Sequence, residues 1–329
     1  MCPNPGRAVV AAAALAIALA AMVAPAATAE ERDFRGRGMP GAELRGASLA
    51  GANFDGAILT GANLVGANLA NASFKGADLR EAYLRDVDAR GADFSGALLA
   101  AADLTRADLR RARLDGADLS RAELSLARLD DASMRKTYLP GARLVKAQLT
   151  QARLDGATLS GADLTQAVLI RAVLDGATLG SSESGQQAPS AANLAGADLR
   201  DASIARANLT SVNLREANLE GARLPGSKLG HADLSWCRAR GADFSGASLS
   251  WSKAYGADLR NAQLVGAILS QAQLEGANLA GANLSGANLD SANLNQSDLS
   301  NVNVTNAKTR HVLANGARNV PASLRAEVQ

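Results

Sequence analysis

A phrase of five residues recurs along almost the whole chain, and nothing else in the sequence limits the fold so strongly. In Ala62-Asn63-Leu64-Val65-Gly66 it reads small, polar, large, any residue, glycine. Stepping by five from Leu44 to Val304 visits 53 positions, and 45 of them are Leu or Phe. Stepping by five from Ala42 to Val302 visits another 53, and 43 are Ala. A helix repeats near 3.6 residues and a strand at 2, so neither element alone produces a period of five. A fixed short period held over most of a chain is the signature of a repeat architecture.

Five can be divided physically. The Ala and the Leu are two apart, so in extended backbone both point to the same side. The residue between them is mostly Asn, Asp, Arg, Ser or Gln, and it points out. The remaining two residues turn a corner. The second is often glycine, as at Gly51, Gly56, Gly61 and Gly66, which suits backbone crowded at Cβ. Each phrase is then one short side and one corner, with Ala and Leu sharing a narrow interior. Composition agrees, because 3% aromatic residues are too few to fill a broad core.

Phe34, Phe54, Phe74 and Phe94 lie 20 residues apart and are four of the five phenylalanines. Four sides per coil would stack these rings at about 4.8 Å, one strand spacing, which suits offset ring stacking. Charges share the period. Asp115, Arg135 and Asp155 alternate in sign, as do Arg200, Glu220 and Arg240 until Arg260 breaks the series. Opposite charges on neighbouring strands add roughly a few tenths of a kcal/mol.

The A(N/D)LxG phrase, repeated over about residues 32–307, resembles the pentapeptide repeat family. The resemblance implies an all-β fold, a right-handed quadrilateral β-helix or solenoid. It would have about 13 coils of 20 residues and a length of about 60 Å. The expected organisation is a leader over 1–29, the β-helix over 30–307 and a capping tail over 308–329. The open strand edge at a coil end also offers a route to a homo-oligomer. A short helix is expected within Pro321–Val328.

One stretch interrupts the repeat. Ser181–Ser190, "SSESGQQAPS", spans ten residues and keeps the five-residue phase. Pro189 and the polar Ser184 would fall at inward positions, so an extruded loop is favoured over two degenerate repeats. Just before it, Val168, Ile170 and Val173 occupy outward positions. They read either as a surface that the loop covers or as a secondary partner-binding patch.

The N-terminus reads as an address. Arg7 is the only charge before Glu30, Ala8–Ala24 is an apolar run, and Ala27-Thr28-Ala29 fits a small-x-small cleavage site. Cleavage between Ala29 and Glu30 would export the protein to the periplasm or the medium. An uncleaved N-terminal membrane anchor is the alternative. No later stretch is apolar enough to span a membrane. Removing the leader leaves Cys237 as the only cysteine, so no internal disulfide is expected.

Chemistry-bearing constellations are scarce, and no catalytic, cofactor or metal site is expected. His231 and His311 lie 80 residues apart, no Cys/His cluster has metal spacing, and His231 with Asp233 lacks a nucleophile turn. Single carboxylates such as Asp78 and Asp163 suit hydrogen bonding to corner backbone. One cluster stands apart. Trp236, Trp251 and Tyr255 fall within 20 residues of one another, beside His231, Arg238, Arg240 and Lys253. An aromatic-basic corner suits recognition of a protein or glycan partner. Alternatively, large corner residues make up locally for volume lost at Ala239 and Ala254, where Leu is usual. Cys237 takes an inward small-residue site.

Some members of the family mimic DNA and bind type II topoisomerase, a role that needs an acidic surface. Here, without Arg7, 33 basic residues face 32 acidic ones. Neither that role nor nucleic-acid binding, which needs a basic stripe, is expected. The leading expectation is an exported, non-enzymatic rod that displays side chains for a partner. The alternative is a domain associated with an enzyme.

Overall fold

The computed structural model describes residues 32–181 and 190–325. The leader and cleavage site expected over 1–29, and most of the 181–190 interruption, lie outside the described residues.

Every fifth residue from Asp33 to Asp298, the interruption apart, forms a parallel bridge to the residue 20 positions on. Asn63 bridges Tyr83 and Tyr83 bridges Asp103, so each stretch of chain returns to lie beside the one before it. Four bridges fall in each 20-residue period, which defines four faces. Face A carries Asn53 and Ser73, face B Ile58 and Asp78, face C Asn63 and Tyr83, and face D Asn68 and Asp88. The bonding is reciprocal: Leu64 N–H donates to Tyr83 O, and Tyr83 N–H donates to Ala62 O, both at 2.8 Å.

The corners explain the fifth-residue preference. Ala62 N–H donates back to Leu59 O at 2.9 Å across Thr60 and Gly61. Gly61 has φ +65°, whereas Thr60 does not take positive φ. Positive φ confined to the third residue of a hydrogen-bonded four-residue turn is the type II pattern. The same left-handed conformation recurs at every such corner from Gly36 to Gly316 outside the interruption, whether or not the residue is glycine. The non-glycine occupants include Arg121, Leu126, Gln151 and Asn301, and none is β-branched or proline. Branching at Cβ makes this conformation especially costly. Thr60, Val65, Thr105 and the prolines Pro40, Pro140 and Pro225 sit instead at the preceding corner position, where Pro is favoured.

Polar outward residues lock the corners. Ser95 N–H donates to Asp93 Oδ1 at 3.0 Å, and Ala280 N–H to Asn278 Oδ1 at 3.1 Å. Where Arg follows two residues after Asp, the two close into a forked pair. Arg90 reaches Asp88 at 2.7 and 2.6 Å, and the Arg90 hydrogen bond holds the Asp88 carboxyl below its usual range. The expected charge column at 115, 135 and 155 forms. Arg135 N–H donates to Asp115 at 2.9 Å, and its guanidinium lies 3.7 Å from Asp155. The column at 200, 220 and 240 does not form such a chain. Arg200 turns to Asp198 at 2.7 Å and Arg260 to Asp258 at 2.6 Å, because a carboxylate in the same pentapeptide is nearer and accepts a bidentate fork.

Inside, the Ala and Leu positions make one continuous buried column. Phe34, Phe54, Phe74 and Phe94 stack with centroids 4.7, 4.8 and 4.9 Å apart and rings within 9° of parallel.

Across the interruption the bridges step by 30 instead of 20: Asp163 pairs with Asn193, and Thr178 with Asn208. Ten residues therefore add no rung, and numbering on each face shifts by half a coil. Gly180 marks the exit. A Cβ there would come within 2.5 Å of the Thr210 backbone nitrogen. One consequence is that Phe244 falls in the same interior column as the other four phenylalanines, through Val173, Ser203, Arg223 and Asp243.

The ladder continues beyond residue 307, since Asn293 bridges Leu313 and Asp298 bridges Arg318. Val312 and Ala314 still supply buried inward side chains there. A single helical turn follows, α1 (Ala322–Arg325), and Leu324 joins the buried core at that end.

Candidate recognition surface

The expected cluster is built on corners. His231, Trp236 and Trp251 occupy the left-handed corner position, with φ of 58°, 61° and 62°. That backbone aims each side chain away from the interior. His231 and Trp251 are consecutive along one edge, and their rings stack at 6.1 Å and 11°. Trp236 stands on the edge across face C. Its indole lies over Gly256 in the next coil, where a Cβ would come within 2.3 Å of the ring. Only a glycine at 256 lets the indole lie this way. Trp236 N–H donates to Tyr255 O at 2.8 Å, and Tyr255 is half-buried beside it.

Trp236 is 59% exposed and Trp251 53% exposed, so neither refills the core. The interior beneath them is loosened instead. Ala239 and Ala254 stand at Leu sites, and Leu249, Ala254 and Leu259 show 4% exposure where most inward residues show none. The buried hydroxyls of Ser235 and Ser252 have no hydrogen-bond partner. Arg238, Arg240 and Lys253 are exposed and make no ion pair among the described residues, but they do not gather as expected. Lys253 lies on face C between the two tryptophan edges, Arg238 on face D and Arg240 on the corner beyond it, because each five-residue step turns the chain onto the next face. Asp258 is occupied by Arg260, whose hydrogen bond holds its carboxyl low. Cys237 is buried, and burial first, then Asp258 and Asp233, pushes its thiol up to about 12. A thiol held protonated is a packing group rather than a nucleophile.

Among the described residues, no three His, Cys, Asp or Glu side chains gather to hold a metal ion, and no helix is long and apolar enough to cross a membrane.

The four-sided period and the stacked phrases find their counterpart among known families. The profile described as pentapeptide repeats matches eight times, over 39–76, 62–100, 77–116, 102–141, 142–180, 192–230, 232–271 and 267–306. The chain belongs to the pentapeptide repeat family. Among solved structures it is similar to HetL, a pentapeptide repeat protein involved in heterocyst differentiation regulation from the cyanobacterium Nostoc. The identity is 36%, over 70% of this chain and 88% of that one, with a TM-score of 0.27. It is also similar to QnrB1, a plasmid-mediated fluoroquinolone resistance protein, at 22% identity over 63% and 86% of the two chains, with a TM-score of 0.35. A pentapeptide repeat protein from the Arabidopsis thaliana thylakoid lumen is 29% identical over 33% and 72%, with a TM-score of 0.22. Among curated proteins, none matches the chain.

Within this pentapeptide repeat protein, Val168, Ile170 and Val173 do not form one flat patch. Val168 belongs to face D, between Gln148 and Asp198, and Val173 to face A, between Arg153 and Ser203, with Ile170 on the corner between them. All three are half-buried by their neighbours along the ladder. Sequence reasoning overlooked Tyr83 and Tyr138, which are 54% and 50% exposed. The usable signal was their outward position between Ala and Leu, where a large ring has no interior to enter.

Proposed function

We propose that this pentapeptide repeat protein is an exported, non-enzymatic interaction module. In this reading the chain is a right-handed quadrilateral β-helix of about 13 coils whose rigidity holds side chains at fixed spacing for a partner. The Trp236, Trp251 and Tyr255 cluster is its main recognition site, with His231, Arg238, Arg240 and Lys253 around it. The observation that carries this is the pair of half-exposed indoles held on left-handed corners. Bulky residues in that conformation store strain, and such strain gathers at functional sites. Trp and Tyr also bring large contact area at low entropy cost, and the unpaired Lys253 between them adds charge. The leader motif of Ala8–Ala24 and Ala27-Thr28-Ala29 supports export, with the mature chain starting at Glu30.

The test is a Trp236→Ala/Trp251→Ala double variant, first checked for an unchanged β-rich circular dichroism spectrum. Affinity capture from the exported fraction should then lose partners that the wild type retains. An unaltered partner set with the fold intact refutes the site and moves attention to Val168 and Ile170. N-terminal sequencing that finds Met1 or Arg7 retained refutes cleavage and favours an anchor.

A further inference from the structure

The 30-residue step at the interruption changes which side chains share a face. Tyr83 and Asp233 are 150 residues apart, seven and a half coils of 20. An unbroken period would put them on opposite faces. The Asp163–Asn193 bridge instead places Tyr83, Asp103, Asp163, Asn193, Asp233 and Lys253 in one column of face C. Trp251 stands on one edge of that face and Trp236 on the other. Seven bridges separate Tyr83 from Asp233, or about 34 Å at a strand spacing of ~4.8 Å.

Tyr83 lies in a shallow basin of about 570 Å³. Three cations and three carboxylates ring it, so the basin is electrically balanced: Arg45, Arg85 and Arg106 against Glu43, Asp86 and Asp103. Most of these groups are already oriented. Arg85 pairs with Asp103 at 2.8 Å, Arg106 with Asp86 at 2.6 Å, and Asn63 donates to Glu43 at 2.8 Å. Arg45 makes no ion pair and the Tyr83 hydroxyl no hydrogen bond among the described residues.

This chemistry selects a ligand class. An apolar segment finds little to bury against except the ring, and a polyanion or polycation meets no net charge to steer it. A sugar ring presents a C–H face to the electron-rich face of an aromatic ring. Its hydroxyls meet planar amide, guanidinium and carboxylate groups at the rim. An aromatic and cationic pairing recurs at the far site, where two indoles on the edges of face C flank the unpaired Lys253.

We propose that face C is a track for one linear saccharide chain, held over Tyr83 at one end and between Trp236 and Trp251 at the other. This rests on reading the tryptophan cluster as a recognition site and names its partner. Two weak sites on one rigid rod bind a long chain with the avidity of linked sites, and the 30-residue step in the ladder is what aligns them.

The experiment is native gel electrophoresis through amylose, xylan or mixed-linkage β-glucan. At least one of the three should retard the wild type, and Tyr83→Ala and Trp236→Ala/Trp251→Ala should each weaken the effect. Two copies of Ala-Asn-Leu-Ser-Gly inserted after Gly221 rotate the downstream site by half a coil, to the opposite face. Four copies restore the face and lengthen the span by one rung. The two-copy variant should lose binding by about 100-fold or more, the range over which linked sites exceed single ones, while the four-copy variant keeps it. Circular dichroism and thermal melts check that both insertions fold. The track is refuted if no polysaccharide retards the wild type, if Tyr83→Ala has no effect, or if the two-copy variant binds like the wild type. If no polysaccharide binds but a captured protein is lost from the tryptophan variant, the recognition site survives and the saccharide reading falls. If the wild type is retarded and the tryptophan variant equally so, both readings fall.

Discussion

The phenylalanine column allows a graded measurement of what ring stacking contributes inside this fold. Phe74 is fully buried between two near-parallel rings, Phe54 at 4.8 Å and Phe94 at 4.9 Å. Phe94 has a ring on one side only, since its other neighbour in the column is Leu114. Phe244 lies in the same column between Leu224 and Leu264 and has no ring neighbour. Leu is the usual occupant of this position, so Phe→Leu keeps the side chain compatible and removes the stacking. A stacked pair is worth about 0.5–1.5 kcal/mol beyond its buried area. Phe74→Leu therefore loses two such contacts, about 1–3 kcal/mol, Phe94→Leu loses one, and Phe244→Leu none. A volume change common to all three adds up to about 1.5 kcal/mol to each. Phe74→Ala, which empties the site, should cost about 3–5 kcal/mol. Urea denaturation with an unchanged slope gives the stability differences, and hydrogen exchange of the amides in each rung gives the same order locally. The reasoning is refuted if Phe244→Leu costs as much as Phe74→Leu.

Two further perturbations test the corners and their charges. The carboxyls of Asp78, Asp88 and Asp108 are held low chiefly by hydrogen bonds from the Arg two residues on. Their contribution is present above the unfolded value of about 4 and is lost as pH falls below it. Thermal melts should therefore be flat between about pH 5 and 8 and decline at lower pH; a melting point unchanged on acidification would contradict the pairing. At Leu126, with φ of 61°, Gly relieves the left-handed strain and Val increases it. Leu126→Val should be less stable than Leu126→Gly by about 1–2 kcal/mol, and the reverse order in thermal melts would remove the argument from the corners.

The sequence by itself carried the period, the division into side and corner, the inward Ala and Leu, and four sides to a coil. These are local or nearest-neighbour properties. A residue that packs only on the coil above and below leaves its rule in the chain at every repeat. The left-handed state of corners such as Arg121 and Trp236 was only half legible. Glycine announces it, whereas an unbranched side chain tolerates it silently, and the absence of Thr, Val, Ile and Pro there is seen only when the positions are compared. The tryptophan cluster was legible because its members lie close in sequence. Its relation to Tyr83, and that of Phe244 to the other phenylalanines, was not. Both depend on whether ten residues at 181–190 stay in the coil or leave it, and the five-residue phase is the same in either case. Only the pairing of Asp163 with Asn193 decides it, because hydrogen bonds between coils register the chain in space and count only the residues that form rungs.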